Sequence, residues 1–248
     1  MIYVKYLRNN VVKMQGWPVV CYSGEWVEGL GMDQEDDGYA ERVAFYDTVY
    51  EQPERALDLA WLRRWLPQQY VGRRVLELAC GSGYWTQYLA PAARGYLALD
   101  ASRGALSLAR QRPGVAGAAF EAGEIEEMAS PPQPFDAAFA GLWFSHLPRQ
   151  RREPALAALH RALAPGALVM LLDNSEAQGA QHPVVEYDRD GNGYQRRPRH
   201  DGGDNRVLKN FPSEAEFRIL LAPYGVSEMA VLRREHFWLL RYRLPSLH

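Results

Sequence analysis

The chain predicts an open, doubly wound α/β fold with a mostly parallel sheet, and three observations predict it. Five short apolar runs, at 75–79, 96–100, 118–122, 135–141 and 167–173, alternate with amphipathic segments. That is the order produced by parallel strands joined through right-handed helical crossovers. The first run ends in a small-residue turn, Cys80-Gly81-Ser82-Gly83, ahead of a helical segment. A strand-to-helix turn this tight, with a ligand approaching its backbone, leaves no room for a Cβ. Third, a polar, glycine-rich stretch at 174–210 interrupts the alternation before one more helix and two more strands.

Composition narrows the function classes. With 248 residues, 47% of them hydrophobic, the chain can bury a sizeable core. The formal net charge is −2, so no basic excess points to nucleic acid. Cys21 and Cys80 stand far apart and form neither a disulfide framework nor a metal-type Cys-x-x-Cys. No metal site is expected. No run of 18 apolar residues reads as a membrane span, and the first residues lack the uninterrupted apolar stretch of a signal peptide. A cytoplasmic protein without a membrane partner is the expectation.

The elements follow in order. Residues 1–31 mix charges, prolines and glycines without usable periodicity. They read either as an N-terminal arm or as a stretch upstream of a start at Met14 or Met32, with a single domain over 32–248. Val43, Tyr46 and Tyr50 recur about a turn apart and predict a helix. Leu57, Trp61, Leu62 and Trp65 predict the inward face of a second helix that Pro67 stops. A first crossover helix is expected over 84–93. Ser102 is placed to cap the next one, which ends at Pro113. Prolines 131, 132 and 134 mark the loop before the fourth strand, and Leu156, Leu159 and Leu163 line the helix before the fifth. Within 174–210, a lid-like insertion whose charges balance, 184–187 and 194–197 flank a glycine turn as a hairpin would. Ser213 to Glu216 reads as a capping box, and 226–234 and 237–244 as the closing strands.

The loop at 81–83 separates two cofactor classes. A dinucleotide fingerprint would require Gly-x-Gly-x-x-Gly/Ala, and here the frame reads Gly81-Ser82-Gly83-Tyr84-Trp85-Thr86. The last glycine is missing, and Glu77 at the strand end repels phosphate but suits a cation. The spacing Glu77-x-Ala79-x-Gly81-x-Gly83, with Asp100 closing the second strand, resembles motif I of the class I, Rossmann-like S-adenosylmethionine-dependent methyltransferases.

That resemblance implies a seven-stranded sheet with an antiparallel last strand and S-adenosylmethionine as cofactor. It implies that Glu77, Ala79, Gly81 and Gly83 cradle the amino-acid end of the cofactor and that Asp100 accepts from the ribose hydroxyls. Glu124 would take the adenine amino group and Ile125 would cover the ring, with Ala101, Ser102, Gly123 and Gly141 completing the lining. A tyrosine-rich N-terminal helix often closes over the cofactor in such proteins, which makes Tyr46 or Tyr50 a candidate contact; packing on the sheet edge is the alternative.

Ligands of open α/β sheets lie beyond the carboxyl ends of the strands. The loop Leu142-Trp143-Phe144-Ser145-His146-Leu147 therefore faces the same crevice. His146 is the candidate base, or else a packing residue that bonds a backbone carbonyl. Trp143 and Phe144 are candidates for an aromatic wall around a planar or cationic acceptor. Tyr187 and Tyr194 in the lid would reach the acceptor on closure. The expected function is methyl transfer to an oxygen or nitrogen of a small molecule. An NAD-dependent oxidoreductase and a non-catalytic methyltransferase-like binder are the alternatives, and the oligomeric state stays open. Asp188-Arg189-Asp190-Gly191-Asn192-Gly193 matches half a calcium loop, but the twelfth position is Arg199, so a hairpin turn is expected there instead.

Overall fold

Each strand forms where an apolar run is bounded by glycine, proline or charge. β1 (Arg74–Leu78), β2 (Gly95–Asp100), β3 (Ala118–Ala122), β4 (Phe135–Gly141) and β5 (Leu163–Asn174) are linked by α2 (Thr86–Leu89), α3 (Arg103–Ala109) and α4 (Arg149–Arg161). α1 (Ala56–Gln69) precedes them. The structure is a computed structural model that describes residues 47, 48, 50–179, 182–198 and 204–246. The arm at 1–31 and the helix expected around Tyr46 lie outside the described residues.

The seven-stranded sheet has the order β3-β2-β1-β4-β5-β10-β9, where β9 is Ser227–Arg233 and β10 is Phe237–Arg243. β1 to β5 pair in parallel, whereas β10 runs antiparallel to both β5 and β9. Strand order reverses between β1 and β4, so the crevice beyond their carboxyl ends is the place such a sheet offers a ligand. Both faces of the sheet are covered. Leu76, Leu156, Val169 and Phe217 belong to one apolar cluster, and Leu62, Val75, Ala137 and Met170 to the other. Burial on both faces explains why these strands read as continuous apolar runs rather than alternating ones.

One helix departs from the expected pattern, and the last one follows it. α1 buries Leu59, Leu62 and Leu66, while Leu57 is 82% exposed and Trp61 stacks on Trp65 at the flank. The buried Asp58 carboxylate sets that rotation, accepting from Arg234 Nε at 3.0 Å and from the His236 backbone N–H at 2.9 Å. Pro67 does not stop the helix; it sits in its last turn, and its carbonyl accepts from Tyr70 N–H. The last helix, α6 (Glu214–Leu221), starts at Ser213 with both bonds of the capping box present and ends through a 3-10 turn at Gly225, which is left-handed.

The insertion is a sheet of its own rather than a lone hairpin. After the short α5 (Glu176–Gly179), β6 (Val184–Tyr187), β7 (Gly193–Pro198) and β8 (Asp204–Leu208) pair antiparallel in that order. The turn at 188–192 is self-satisfied: the Asp188 carboxylate accepts from the backbone N–H groups of Asp190 and Asn192, the Asn192 side chain and the Tyr194 hydroxyl. Asn192 Oδ1 in turn accepts from the Arg149 N–H at 2.7 Å at the start of α4. At the other end, Asn210 N–H donates to the Ser145 carbonyl and its side chain to that of Leu147. The insertion is therefore fastened to the crevice loop at both ends.

Candidate cofactor and acceptor site

The glycine loop is shaped by backbone strain and by one carboxylate. Ala79, Gly81 and Gly83 all have positive φ, at 50°, 56° and 78°. Holding a non-glycine residue such as Ala79 there costs on the order of 1–3 kcal/mol, and such strain gathers at ligand sites. Leu142, at the matching end of β4, has φ 56° as well. The two strained residues flank the crevice from adjacent strands. At Gly83 a Cβ would meet Ala109 Cβ at 3.0 Å, so α3 packs directly on the loop.

Asp100 fixes the loop from β2. Its Oδ2 accepts from Gly81 N–H at 2.7 Å and its Oδ1 from Ser102 N–H at 2.8 Å. Burial raises its pKa, and those two N–H groups pull back toward the ionised form. A carboxylate with two bonds made retains lone pairs for a diol. Ser102 caps α3 by accepting from Ala105 N–H, and Ala101 lies exposed beside it. Glu77 lies beneath the loop, accepting from Thr86 Oγ1 at 2.5 Å and Tyr96 OH at 3.0 Å. Burial pushes its carboxyl up to about 8, although both hydroxyls oppose the shift. A cradle of strained small residues, an anchored diol acceptor and a buried acid fit a nucleoside carrying a cationic end.

The other expected cofactor residues divide. Ile125 is buried in the core beside β4, and Glu124 is exposed and paired with Arg151 at 2.7 Å. Around Gly123 there is open space where a Cβ would stand. Gly141 serves packing: a Cβ there would meet Trp85 Cδ1 at 2.7 Å. Tyr46 lies outside the described residues.

The acceptor side holds a cluster not foreseen in the sequence. Lys209, fully buried just past β8, donates to Asp173 Oδ1 at 2.9 Å and Ser145 Oγ at 2.7 Å, with His146 Nε2 at 3.5 Å. Asp173 also accepts from Ser145 N–H and Ser145 Oγ. Burial alone would raise Asp173, but Lys209 and His146 hold it below the usual carboxylate range. Burial, reinforced by Lys209, drops His146 to about 3, and the ring also bonds the Leu208 backbone. His146 is thus neutral at pH 7 and bonded across to the insertion. Burial, and to a lesser degree the fields of Arg197 on β7 and of the buried Arg55 before α1, lower the basicity of Lys209 and of His182. Asp173 was findable, because it stands at the carboxyl end of a central strand. Lys209, Arg197 and Arg55 carried no such signal.

The aromatic candidates fare differently. Phe144 is 1% exposed and packs against Trp143, Phe217 and Trp238. It belongs to the core, because the 3-10 turn at 144–146 points it under the sheet; Trp143 is half-buried beside it. Tyr187 is 69% exposed on β6. Tyr194 is held within the insertion by Asp188 and lies under Arg206.

Residues 75–166 match the family model described as a methyltransferase domain. Among solved structures, the DhpI–SAH complex is 27% identical with a TM-score of 0.66, covering 84% of this chain and 93% of that one. The DhpI–SAM–HEP complex is 29% identical with a TM-score of 0.65, covering 83% and 94%. A malonyl-[acyl-carrier protein] O-methyltransferase from Serratia marcescens is 33% identical over 104 residues, 41% of this chain and 38% of the relative. A fatty-acid O-methyltransferase from Mycolicibacterium smegmatis is 34% identical over 104 residues, 41% and 37%. The chain thus spans less than two-fifths of the length of these two curated relatives. Strained glycine loop, Asp100 anchor and sheet order agree with the domain match and with the SAM- and SAH-bound neighbours: residues 75–166 match a methyltransferase domain, and the chain is similar in fold to S-adenosylmethionine-dependent methyltransferases.

Proposed function

We propose that this protein transfers the methyl group of S-adenosylmethionine to an acidic oxygen of a small molecule, such as a carboxylate. One observation carries the reading: the buried Lys209 sits against the loop after β4, bonded to Ser145 and Asp173, and the fields of Arg197 and Arg55 reach it. Burial first, and then the fields of Arg197 and Arg55, lower the basicity of Lys209, and an anionic acceptor nearby would favour its charged form. The same field disfavours the cationic acceptor that the aromatic loop suggested. Two relatives named above are O-methyltransferases of acyl compounds, which supports oxygen over nitrogen.

When bound, the cofactor supplies a methyl group on a sulfonium leaving group. Glu77, Gly81, Gly83 and Asp100 would hold that cofactor, and Glu124 and Ile125 would serve its base. Arg197 would orient the acceptor oxygen, Lys209 would add its field while bonded to Asp173 and Ser145, and the fastened insertion would exclude water. Positioning of this kind supplies about 7–11 kcal/mol in well-aligned systems. An acid already ionised at pH 7 needs no base. His146, neutral and bonded to Lys209, then acts by positioning Lys209 rather than by taking a proton.

Incubation with S-adenosylmethionine and matched carboxylic acids, phosphonic acids and amines tests the reading through S-adenosylhomocysteine release. Acids are expected to turn over and amines are not. Arg197→Gln should raise the acceptor KM about tenfold, as loss of one charge-assisted bond does, with the cofactor KM unchanged. Preferential methylation of amines would overturn it.

Glu77 gives a pH signature. With its carboxyl near 8, it is mostly protonated at neutral pH and ionises as pH rises. A carboxylate suits a cationic amino-acid end better than an acid does. S-adenosylhomocysteine affinity is therefore expected to increase between pH 6.5 and 9, and Glu77→Gln should flatten the profile. The raised pKa also means that the protonated group favours the folded chain at low pH, a contribution lost as pH rises through about 8.

A further inference from the structure

Arg112 stands in the connection between α3 and β3, yet its side chain is 6% exposed. All three of its guanidinium nitrogens are engaged. Nε donates to the Ser82 carbonyl at 2.7 Å and Nη2 to Ser82 Oγ at 2.9 Å. Nη1 and Nη2 also grip the Asp47 carboxylate at 2.9 and 2.6 Å. Ser82 lies between two glycines of positive φ, so the Ser82–Gly83 peptide has a permissive glycine dihedral on its far side. A planar fork is suited to fixing such a peptide plane, because its donors hold a rigid geometry that lysine lacks.

The far side of the fork reaches a second contact with the loop. Tyr50 N–H donates to the Asp47 carbonyl at 2.7 Å, closing a short turn, and the Tyr50 ring stacks on Tyr84 at 3.5 Å. Tyr84 follows Gly83 directly and is in turn held by Arg63. The residues at 47–50 and the glycine loop are thus joined twice, through an ion pair and through a ring stack. A buried ion pair adds little net stability over an apolar replacement, so its geometric effect on the loop outweighs its stabilising one.

We propose that Arg112 is a positioning residue for the cofactor: it sets the Ser82–Gly83 peptide in its binding shape and, through Asp47, ties that shape to the docking of the 47–50 turn. The inference rests on the cofactor reading above and extends it to residues that do not touch the cofactor themselves. Since Gly81 and Gly83 serve the amino-acid end, loss of Arg112 harms ligands that carry that end and spares those that lack it.

Calorimetric titration with S-adenosylhomocysteine and with 5′-methylthioadenosine, which keeps the nucleoside but lacks the amino-acid end, separates this role from a merely structural one. Arg112→Met is expected to weaken the first by about 30-fold, as loss of charge-assisted bonds does, and the second by less than about 3-fold. Arg112→Lys should not restore binding. Asp47→Asn, the milder variant should Arg112→Met fail to fold, is expected to weaken S-adenosylhomocysteine alone by about 5-fold, as loss of one charge-assisted contact does. Equal losses for both ligands, or none for either, overturn the proposal. Wild-type protein that binds neither ligand overturns the cofactor reading and this proposal with it; wild-type binding with unchanged variants overturns this proposal alone.

Discussion

Asp100→Ala is expected to weaken S-adenosylhomocysteine binding by about 100-fold or more in calorimetric titration. The residue shapes the loop before any ligand arrives, through Gly81 N–H on one oxygen and Ser102 N–H on the other. Removing it releases two backbone donors at the tightest part of the turn and also the proposed acceptor for the ribose. Hydrogen bonds to charged groups contribute about 1.5–3 kcal/mol each, and every 1.4 kcal/mol is tenfold in affinity. Asp100→Asn retains the shape and one strong acceptor, so it should fall between wild type and alanine. Binding by the alanine variant within threefold of wild type would show that Asp100 does not hold the cofactor.

The second large effect is on stability. Lys209→Met leaves the Asp173 carboxylate buried with only Ser145 and neighbouring backbone N–H groups to satisfy it. Removing one partner of a buried ion pair costs about 3–5 kcal/mol, whereas replacing both by neutral groups is often close to neutral. Urea unfolding should show that loss for Lys209→Met and recovery of most of it in Lys209→Met with Asp173→Asn. The pH dependence has a definite sign. Since Asp173 is held below the ordinary carboxylate range, its contribution is present above that range and is lost as acidification passes its lowered pKa. A Lys209→Met variant within about 1 kcal/mol of wild type would mean that the pair is not the clamp between sheet and insertion, because the expected range starts well above that.

Sequence pattern and structure agree most closely where local chemistry decides. β2, β3 and β4 occupy the expected residues, because each is an apolar run closed by glycine, proline or an acid. The capping box at Ser213 and the cap at Ser102 are local bonds, and both are present. The face of α1 was set by a carboxylate and partners about 176 residues away, Asp58 and Arg234, which no helical period contains. β8 was missed because Asp204, Asn205 and Arg206 read as solvated; only Val207 and Leu208, both buried, hinted at a strand. The site divides in the same way. Glu77, Gly81, Gly83 and Asp100 stand in one motif on adjacent strands. Lys209 and Asp173, or Arg112, Asp47 and Ser82, meet only through the fold, and in the sequence their charges look like ordinary surface balance.

The account stands or falls on the cofactor, so the most direct measurement is isothermal titration of the protein with S-adenosylhomocysteine beside NADH. Micromolar binding of S-adenosylhomocysteine alone, lost in Asp100→Ala and in Gly81→Val, is the predicted result. Binding of NADH instead, or of neither ligand, would contradict it.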